Sequence, residues 1–267
     1  MHNRPSHTRV ERFEFASDTL QSGKRALADE TPVAFEYNGF AYAVMLSSFD
    51  DIEDFAVGFT LSEGLAEHHQ DIEDIDVASV GNGVIVRIRL CEKYADGVRD
   101  RVRLRVVEGA CGLCGITSLN EAFRPLPEVG RPPRVHAESI KVALANLPSF
   151  QLKGQFNRAM HLAAFCYRDG TIAAAREDIG RHNALDKLLG CLARSATDAA
   201  DGFVLLTSRC SVELVEKTVR AGCSMLVTIS LPSNLAVKRA CDAKLTLLSL
   251  ARADSFLVFN NPFKNEW

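Results

Sequence analysis

Two cysteines in a glycine-rich stretch are the residues of this chain best suited to covalent chemistry. Cys111 and Cys114 lie in the sequence Glu108-Gly109-Ala110-Cys111-Gly112-Leu113-Cys114-Gly115. Glycines allow such a loop to be exposed and mobile, as delivery of a reactive group requires. Ser118-Leu119-Asn120-Glu121 has the pattern of a capping box, so we expect a helix to begin just after the cysteines. A thiol beyond a helix N-terminus is biased toward the thiolate, the nucleophilic form.

Three kinds of chemistry fit this pair, besides two inert structural cysteines. A redox couple is the first, although arginine-rich alternating sequence precedes the pair where a strand–helix–strand unit is expected. A zinc site is the second, because His136-Ala137-Glu138 supplies the His-x-Glu of zinc deaminases. In this chain, however, the two cysteines come before the His-x-Glu triplet, which is the reverse of the order in zinc deaminases, and no proline precedes Cys111. We therefore expect no metal. A persulfide carrier is the third. The motif alone does not choose between sulfur transfer and redox exchange.

Composition narrows the class of protein and the compartment. The 267 residues are 47% hydrophobic and 24% charged, with a net charge of -3, which indicates a globular protein and gives no basic field for nucleic acid. The N-terminal residues lack the apolar run that is typical of a signal peptide, and charges interrupt every long apolar run. We therefore predict a cytoplasmic protein with neither a nucleic-acid nor a membrane partner. In a reducing compartment its eight cysteines are not a disulfide framework.

A second polar segment precedes a predicted helix. Its sequence is Arg176-Glu177-Asp178-Ile179-Gly180-Arg181-His182-Asn183-Ala184-Leu185-Asp186-Lys187. Leucines at 185, 188, 189 and 192 mark a helix face, which places Arg181 and His182 at the helix entrance. They are candidates for an anion or phosphate cradle. The residues alone favour the alternative, a capped helix with a solvated charge cluster.

Other reactive side chains have simpler interpretations. Cys210, in Ser208-Arg209-Cys210-Ser211-Val212-Glu213, follows a buried strand and is either a reactive thiol or, more commonly, a small buried hydrophobe. His161 lies in an apolar run and is expected to be a core histidine. The arginine stripe of the N-terminal half is the solvated face of a sheet or a landing area for an acidic partner. It comprises Arg87, Arg89, Arg101, Arg103 and Arg105.

The N-terminal half is predicted to contain strands and one helix, and these elements would position the groups described above. Residues 33–37 and 40–46 flank Asn38-Gly39, a hairpin signal. A helix should follow Asp50 or Asp51 and end at Gly64. Alternation over 84–90 and 101–107 predicts two more strands. The prolines and glycine of 125–133 mark a linker.

In the second half, predicted strands alternate with predicted helices, as they do in an α/β protein. Strands are expected at 203–207, 225–229, 245–250 and 256–259, with helices at 211–221 and 234–242. This order predicts a mainly parallel sheet covered by helices. The chain then divides into an N-terminal α+β domain with antiparallel strands, residues 1–130, and a C-terminal three-layer α/β domain, residues 131–267.

Taken together, these segments resemble the FdhD family of sulfurtransferases required for formate dehydrogenase activity. The resemblance runs from about Thr31 to Asn260 and is carried by the cysteine loop, the 177–187 segment and the 208–213 segment. It also includes shorter matches. These are Pro32-Val33-Ala34, Asp54-Phe55-Ala56-Val57-Gly58-Phe59, Ser62-Glu63-Gly64 and Leu235-Ala236-Val237.

The resemblance implies a fold, a function and partners. The C-terminal domain would resemble the cytidine deaminase-like fold without its zinc site. The protein would take sulfur from a cysteine desulfurase and pass it to the bis-guanine-dinucleotide form of the molybdenum cofactor for formate dehydrogenase. Cys111 would bear the persulfide with Cys114 as its partner, and the protein would be a homodimer. The cofactor would contact Leu250, Ala251, Arg252, Ala253, Asp254 and Ser255.

Two positions depart from the family pattern. Where the family usually shows Thr-Gly-Gly or Thr-Gly-Cys, this chain has Asn157-Arg158-Ala159, which puts close approach of a ligand at that loop in doubt. Leu231-Pro232-Ser233 replaces Ala-Pro-Thr, a milder change. The mechanism expected is a thiol-based sulfur relay. The alternatives are a thiol–disulfide oxidoreductase that uses the same pair and a cofactor chaperone in which the cysteines are incidental.

Overall fold

The computed structural model describes residues 7–104 and 125–267. Cys111 and Cys114 lie outside the described residues, as does the helix predicted after them. The strands are β1 His7–Glu14, β2 Thr19–Ala26, β3 Thr31–Tyr37, β4 Phe40–Ser47, β5 Ile72–Val80, β6 Gly83–Leu90, β7 His161–Tyr167, β8 Ile172–Asp178, β9 Gly202–Leu206, β10 Met225–Thr228, β11 Thr246–Ser249 and β12 Leu257–Asn260. The α-helices are α1 Ile52–Ser62, α2 Ala95–Leu104, α3 Ala137–Asn146, α4 Gly154–Asn157, α5 Arg181–Arg194, α6 Val212–Arg220 and α7 Asn234–Asp242.

The first sheet has four strands in the order β4-β3-β6-β5. The hairpin predicted at Asn38-Gly39 is confirmed. Both residues have positive φ, 48° and 84°, as the two-residue turn that matches strand twist requires. β3 runs parallel to β6, while the two outer pairs are antiparallel. The antiparallel character expected of the N-terminal half is therefore present, with one parallel pair at its centre.

Helix α1 covers this sheet through an aromatic face. It begins after Asp51 and is followed by Gly64 at φ 65°, as the sequence predicted. The rings of Phe55 and Phe59 lie 5.1 and 4.9 Å from that of Phe35 on β3, measured between centroids. Burial of three phenylalanines makes this contact the centre of the N-terminal core.

The strand predicted over 101–107 is wrong for residues 101–104, which end helix α2. The alternation of arginine and aliphatic residues suggested a strand. Tyr94, Val98 and Val102, spaced four apart, instead face the N-terminal core, which is the spacing of a helix. Arg101 donates from Nη1 to the carbonyl of Glu63 at 2.6 Å.

The arginine stripe is consequently not one sheet face. Arg87 and Arg89 of β6 do lie on the exposed face, where neighbouring strands supply carboxylates. The Nη1 of Arg87 is 2.9 Å from Asp76, and the Nε of Arg89 is 3.1 Å from Glu73. These ion pairs favour the solvated-face interpretation for β6, and a landing area for an acidic partner stays a prediction.

The second sheet is mixed, in the order β12-β11-β10-β9-β7-β8. β9, β10 and β11 run parallel, whereas β7, β8 and β12 pair antiparallel with their neighbours. The expected mainly parallel sheet is thus wrong at the outer strands. The sequence did contain a signal for the β7–β8 hairpin, since Asp169-Gly170 separates them and Gly170 has φ 88°.

Helices cover both faces of the second sheet, which confirms a three-layer α/β arrangement. One core holds α5, α6 and α7 against one face, with Leu185, Leu188 and Leu214 fully buried. The opposite face packs on α3 through Ile140 and Ala143. The finer likeness to the cytidine deaminase-like fold stays a prediction, as does the domain boundary at residue 130.

The two sheets are joined by close contact of α1 with α5. A Cβ at Gly58 would lie 1.7 Å from the carbonyl oxygen of Asp186, and one at Gly190 would lie 1.8 Å from that of Asp54. Only glycine allows two helix backbones to approach this closely. The junction therefore holds the N-terminal sheet against the helix that begins at Arg181.

Candidate functional site at one edge of the second sheet

The carboxyl ends of β9, β10 and β11 meet at one edge of the second sheet. Because β7 is antiparallel to β9 and β8 is antiparallel to β7, the start of β7 at His161 and the end of β8 at Asp178 lie at this edge too. Helix α5 begins there at Arg181, after Gly180. Loops at such an edge are where α/β sheets bind ligands.

Three charged side chains of the 177–187 segment, Asp178, Asp186 and Lys187, are buried rather than solvated. Asp178 and Lys187 are fully buried, with the Lys187 Nζ 2.6 Å from Oδ2 of Asp178. The same carboxylate accepts hydrogen bonds from Ser47 Oγ at 2.7 Å and from the Ser48 backbone at 2.9 Å. Its other oxygen accepts from Gly180 N at 2.8 Å. The charge pair therefore joins the loop after β4 to the start of α5.

Burial alone would raise the pKa of the Asp178 carboxyl. The Lys187 ammonium and the hydrogen bonds from Gly180 and Ser47 outweigh it and hold the pKa below its usual value. Asp178 is thus a fixed anion. It positions the N-terminus of α5 rather than exchanging protons at neutral pH.

A second buried pair supports the same helix. Both carboxylate oxygens of Asp186 lie 2.7 Å from Lys217 Nζ on α6, and Oδ1 also accepts from Ser62 Oγ at 2.7 Å. The solvated charge cluster favoured by the residues alone is therefore wrong for Asp178, Asp186 and Lys187. The hydropathy of a sequence does not indicate which charged side chains will form ion pairs in the protein interior.

The side chains left at the entrance of α5 are basic. Arg181 and His182 are its first residues, and the Nε of Arg181 is buried without a hydrogen-bond partner in the described parts of the chain. Burial lowers the pKa of His161, and the nearby Arg181 and Arg209 cations lower it further, so His161 is neutral at pH 7. We call Arg181, His182, His161 and Arg209 the basic cluster.

His182 is held in place by α6. Its Nε2 lies 3.2 Å from Ser211 Oγ and 3.6 Å from Glu213 Oε2. The hydrogen bond with His182 lowers the pKa of Glu213 to about 2. Together with the free N–H groups of a helix N-terminus, the basic cluster has the chemistry to hold an anion. The sequence identified Arg181 and His182, but it missed Arg209 and assigned the half-buried His161 to the core.

The 250–255 segment lies at the same edge, after β11. It is a tight turn: Leu250 has φ 50°, and Arg252 N donates to the Ser255 carbonyl at 2.8 Å. The Nη1 of Arg252 donates to the Ile229 carbonyl at 2.6 Å, so this guanidinium also fixes the loop after β10. β11 and β7 are three strand spacings apart, about 14 Å. The fold brings the two predicted binding segments to one edge without bringing them into contact.

Three of the six cysteines in the described residues are unsuited to nucleophilic chemistry. Cys166, Cys210 and Cys223 are buried, and Cys241 is exposed. Burial raises the pKa of the Cys210 thiol to about 12 and that of Cys223 to about 11, and it also raises that of Cys166. Such thiols stay protonated at neutral pH. The reactive role considered for Cys210 is therefore wrong, and its interpretation as a buried hydrophobe is confirmed.

Within residues 7–104 and 125–267, no three His, Cys, Asp or Glu side chains are grouped as metal ligands. His136 precedes the first residue of α3, and Glu138 lies 3.4 Å from Lys141. Over the same ranges, no helix is both long and apolar enough to span a bilayer.

The Asn157-Arg158-Ala159 departure keeps a backbone shape that glycine favours. Arg158 has φ 55°, in the left-handed region. The Oδ1 of Asn157 accepts from Ala159 N at 2.9 Å, a local turn that supports this conformation. Arg158 therefore adopts a backbone conformation that a glycine at this position would adopt without strain.

Comparisons with known proteins agree on a family. The model of the FdhD/NarQ family matches residues 28–265. Proteins named Sulfur carrier protein FdhD are similar to this chain. One from Agrobacterium fabrum is 41% identical over 255 residues, covering 95% of this chain and 94% of its own. Another, from Chromobacterium violaceum, is 42% identical over 236 residues, covering 87% of each.

A solved structure shares the fold. It is a crystal structure of a protein proposed as a formate dehydrogenase accessory protein, from Desulfotalea psychrophila. The TM-score is 0.74 with 21% sequence identity, and the match covers 97% of this chain and 98% of that one. The resemblance inferred from the motifs is confirmed.

Proposed function

Because the chain belongs to the FdhD/NarQ family, we propose that it is a sulfurtransferase, a persulfide carrier that serves formate dehydrogenase. It takes sulfane sulfur from a cysteine desulfurase and delivers it to the bis-guanine-dinucleotide molybdenum cofactor, which is its substrate. It acts in the cytoplasm as a homodimer. The names of its relatives, sulfur carrier proteins, support the sulfur-transfer part of this proposal.

The sulfur step uses Cys111 as nucleophile. Its thiolate attacks the outer sulfur of the desulfurase persulfide. One S–S bond forms as another breaks, and the desulfurase leaves as a thiolate that takes up the proton released by Cys111. No net oxidation occurs. Cys114 is the partner thiol, placed to protect or release the carried sulfur by exchange.

The state of the other thiols is the observation that supports this assignment most directly. Cys166, Cys210 and Cys223 are buried with raised pKa values, so a desulfurase has no access to them and they are not thiolates. Burial also raises the pKa of Cys191. Cys91 and Cys241 are the competitors that remain among the described cysteines, and neither lies in a glycine-rich sequence.

The substrate is bound at the edge of the second sheet. Its phosphates would lie on the basic cluster, where the buried Nε of Arg181 needs an acceptor. The segment from Leu250 to Ser255 would contact the other end of the ligand. The distance of about 14 Å between β11 and β7 suits an extended dinucleotide rather than a single phosphate.

The mass of the intact protein after incubation with a cysteine desulfurase and cysteine tests the sulfur step. We expect a gain of one sulfur atom that a reductant removes. Loss of two hydrogens alone would indicate a thiol–disulfide oxidoreductase. An unchanged mass would indicate a chaperone in which the cysteines are incidental. Either of these results would contradict the relay.

Nucleotide binding tests the ligand site. We expect GDP to bind and Arg181→Ala to weaken it by roughly ten- to a hundredfold, because a charge-assisted hydrogen bond contributes about 1.5–3 kcal/mol. Arg252→Ala should also weaken binding. Isothermal calorimetry at two salt concentrations measures both effects, with weaker binding expected at higher salt.

Arg168→Ala is the matched control for these variants. Arg168 is exposed and lies at the opposite end of β7, so its removal should leave GDP affinity unchanged. Equal losses in Arg168→Ala and Arg181→Ala would mean that the effect is one of net charge, and the basic cluster would not be the phosphate site.

A further inference from the structure

A second basic site lies at the other edge of the second sheet, away from the basic cluster. It is a pocket with a volume of about 370 Å³, which is within the range of small-molecule sites. Its charged lining residues are Arg131, Arg134, Lys264 and Glu266. We call it the linker pocket, because both arginines belong to the segment that leads into α3.

Two contacts place the linker pocket at that edge. Asn265, which lines the pocket, donates from Nδ2 to Oγ1 of Thr246 at 3.4 Å, and Thr246 is the first residue of β11. The first turn of α3 meets the β7–β8 turn, where a Cβ at Gly170 would lie 2.1 Å from the carbonyl oxygen of Ser139. The basic cluster lies at the carboxyl ends of the parallel strands, so the strands separate the two sites.

The cations of the linker pocket have no carboxylate partner in residues 7–104 and 125–267. A nearby carboxylate, that of Glu128, is 2.5 Å from the Nζ of Lys244 and is therefore already paired. Glu266 is the carboxylate in the lining. Three cations against one carboxylate leave the pocket with a net charge of +2, which favours an anion that carries more than one charge.

The backbone that carries these cations is fixed. The two arginines flank Pro132-Pro133, and prolines restrict both their own φ and the residue before them. Lys264 has φ 50°, a conformation that is strained for lysine. Two hydrogen bonds between Asn261 and Asn265, at 3.0 and 2.9 Å, close the turn around it. Cations on a fixed backbone lose little conformational entropy when an anion binds.

We propose that the linker pocket binds a small phosphate monoester that also carries a hydroxyl or amino group. A phosphate monoester has three acceptor oxygens and nearly two negative charges at neutral pH, which match the three cations and the net charge of the pocket. The volume of the pocket leaves room for an organic part beyond the phosphate. Glu266 would accept a hydrogen bond from the hydroxyl or amino group. The ligand takes no part in the sulfur step.

Trp267 provides a local signal for a binding experiment. It is the single tryptophan of the chain, it directly follows Glu266, and it packs in the same core as Val135 of the pocket lining. The full-length protein is titrated with glycerol 3-phosphate, inorganic phosphate and acetate at neutral pH and constant ionic strength, and tryptophan fluorescence and calorimetric heat are recorded. We expect glycerol 3-phosphate to bind about fivefold or more tightly than inorganic phosphate, because its hydroxyls reach Glu266. Acetate, with one charge, should not bind measurably.

Three variants test the assignment of the pocket residues. Arg134→Ala should weaken glycerol 3-phosphate about tenfold or more, because a charge-assisted hydrogen bond is lost. Glu266→Ala should remove the preference for glycerol 3-phosphate over inorganic phosphate. Arg168→Ala is the matched control, since Arg168 is an exposed arginine at the same edge and outside the pocket lining, and its removal should change neither affinity.

Arg181→Ala separates the linker pocket from the basic cluster. It should weaken GDP, as described above, and leave the titration of Trp267 by glycerol 3-phosphate unchanged. A titration without a change in fluorescence or heat would overturn the proposal, as would equal losses in Arg134→Ala and Arg168→Ala. A preference for glycerol 3-phosphate that persists in Glu266→Ala would contradict the role of that carboxylate and overturn the assignment of the hydroxyl-bearing ligand. The sulfur step is measured separately, by the gain in mass.

Discussion

Replacing Lys187 by methionine is expected to lower the free energy of unfolding by about 3–5 kcal/mol, because it leaves the Asp178 carboxylate buried without its counter-ion. The pair is fully buried at 2.6 Å, so solvent does not screen it. Lys187 Nζ also donates to Ser48 Oγ at 2.8 Å, a contact that is lost as well. Urea denaturation at pH 7 measures the change.

The effect of pH has a definite sign. In the wild type the folded-state pKa of Asp178 is below its unfolded value, so its stabilisation is present above about pH 4 and is lost as pH falls through the folded pKa. In Lys187→Met burial dominates and the Asp178 pKa rises. The difference between variant and wild type should therefore be largest at neutral pH and shrink toward pH 4.

Lys141→Met provides the comparison for an exposed pair. Lys141 lies 3.4 Å from Glu138 and is 58% exposed, so we expect a change of less than about 1 kcal/mol. If Lys187→Met were no more destabilising than Lys141→Met, the buried pair would not be what fixes the start of α5.

The elements whose ends are marked by capping or turn residues were predictable from the sequence. Helix α7 spans Asn234–Asp242 as the sequence predicted, because Ser233 accepts from Ala236 N and caps it. The β3–β4 hairpin follows from Asn38-Gly39, whose positive φ values few other residue pairs adopt without strain. In both cases the local sequence and the tertiary contacts favour the same structure.

Prediction failed where a local pattern fitted two structures. Arginine alternation before residue 105 resembles a strand, but Val98 and Val102 bury on one helix face. β7 is apolar on both faces, because α3 covers one side and α5 the other, so it lacks the alternation of a half-exposed strand. In both cases the secondary structure depends on tertiary burial, which cannot be read from a short stretch of sequence.

The sequence predicted which residue types form the site. It did not predict which of them are buried in the scaffold and which stay at the entrance of α5. Arg181 and His182 were found from their place at a helix entrance, and the structure adds His161 from the start of β7 and Arg209 from the loop after β9. Asp178 and Lys187 of the same motif pair with each other, and Asp178 also accepts from Ser47. Asp186 contacts Ser62 and Lys217. Part of the motif therefore builds the scaffold, and Arg181 and His182 are left for the phosphate site that we propose.

Cys111→Ala is expected to abolish sulfur loading and the maturation of formate dehydrogenase. No other residue in the proposed mechanism replaces its thiolate, so the loss should be complete within detection rather than partial. Peptide-resolved mapping of persulfide on the wild type, Cys111→Ala and Cys114→Ala measures loading site by site. In the wild type we expect the sulfur on the peptide that contains Cys111.

Cys241→Ala is the matched control for Cys111→Ala, because Cys241 is the exposed thiol among the described cysteines and would show loading by access alone. Its removal should leave both loading and maturation unchanged. Cys91 and Cys191 are part-buried, so Cys91→Ala and Cys191→Ala test these two thiols in the same way. Sulfur that persists in Cys111→Ala but disappears in Cys241→Ala would move the carrier role to a surface cysteine. Normal maturation by Cys111→Ala would rule out Cys111 as the sulfur carrier, and the buried thiols of Cys166, Cys210 and Cys223 could not replace it, because they are protonated and closed to a donor.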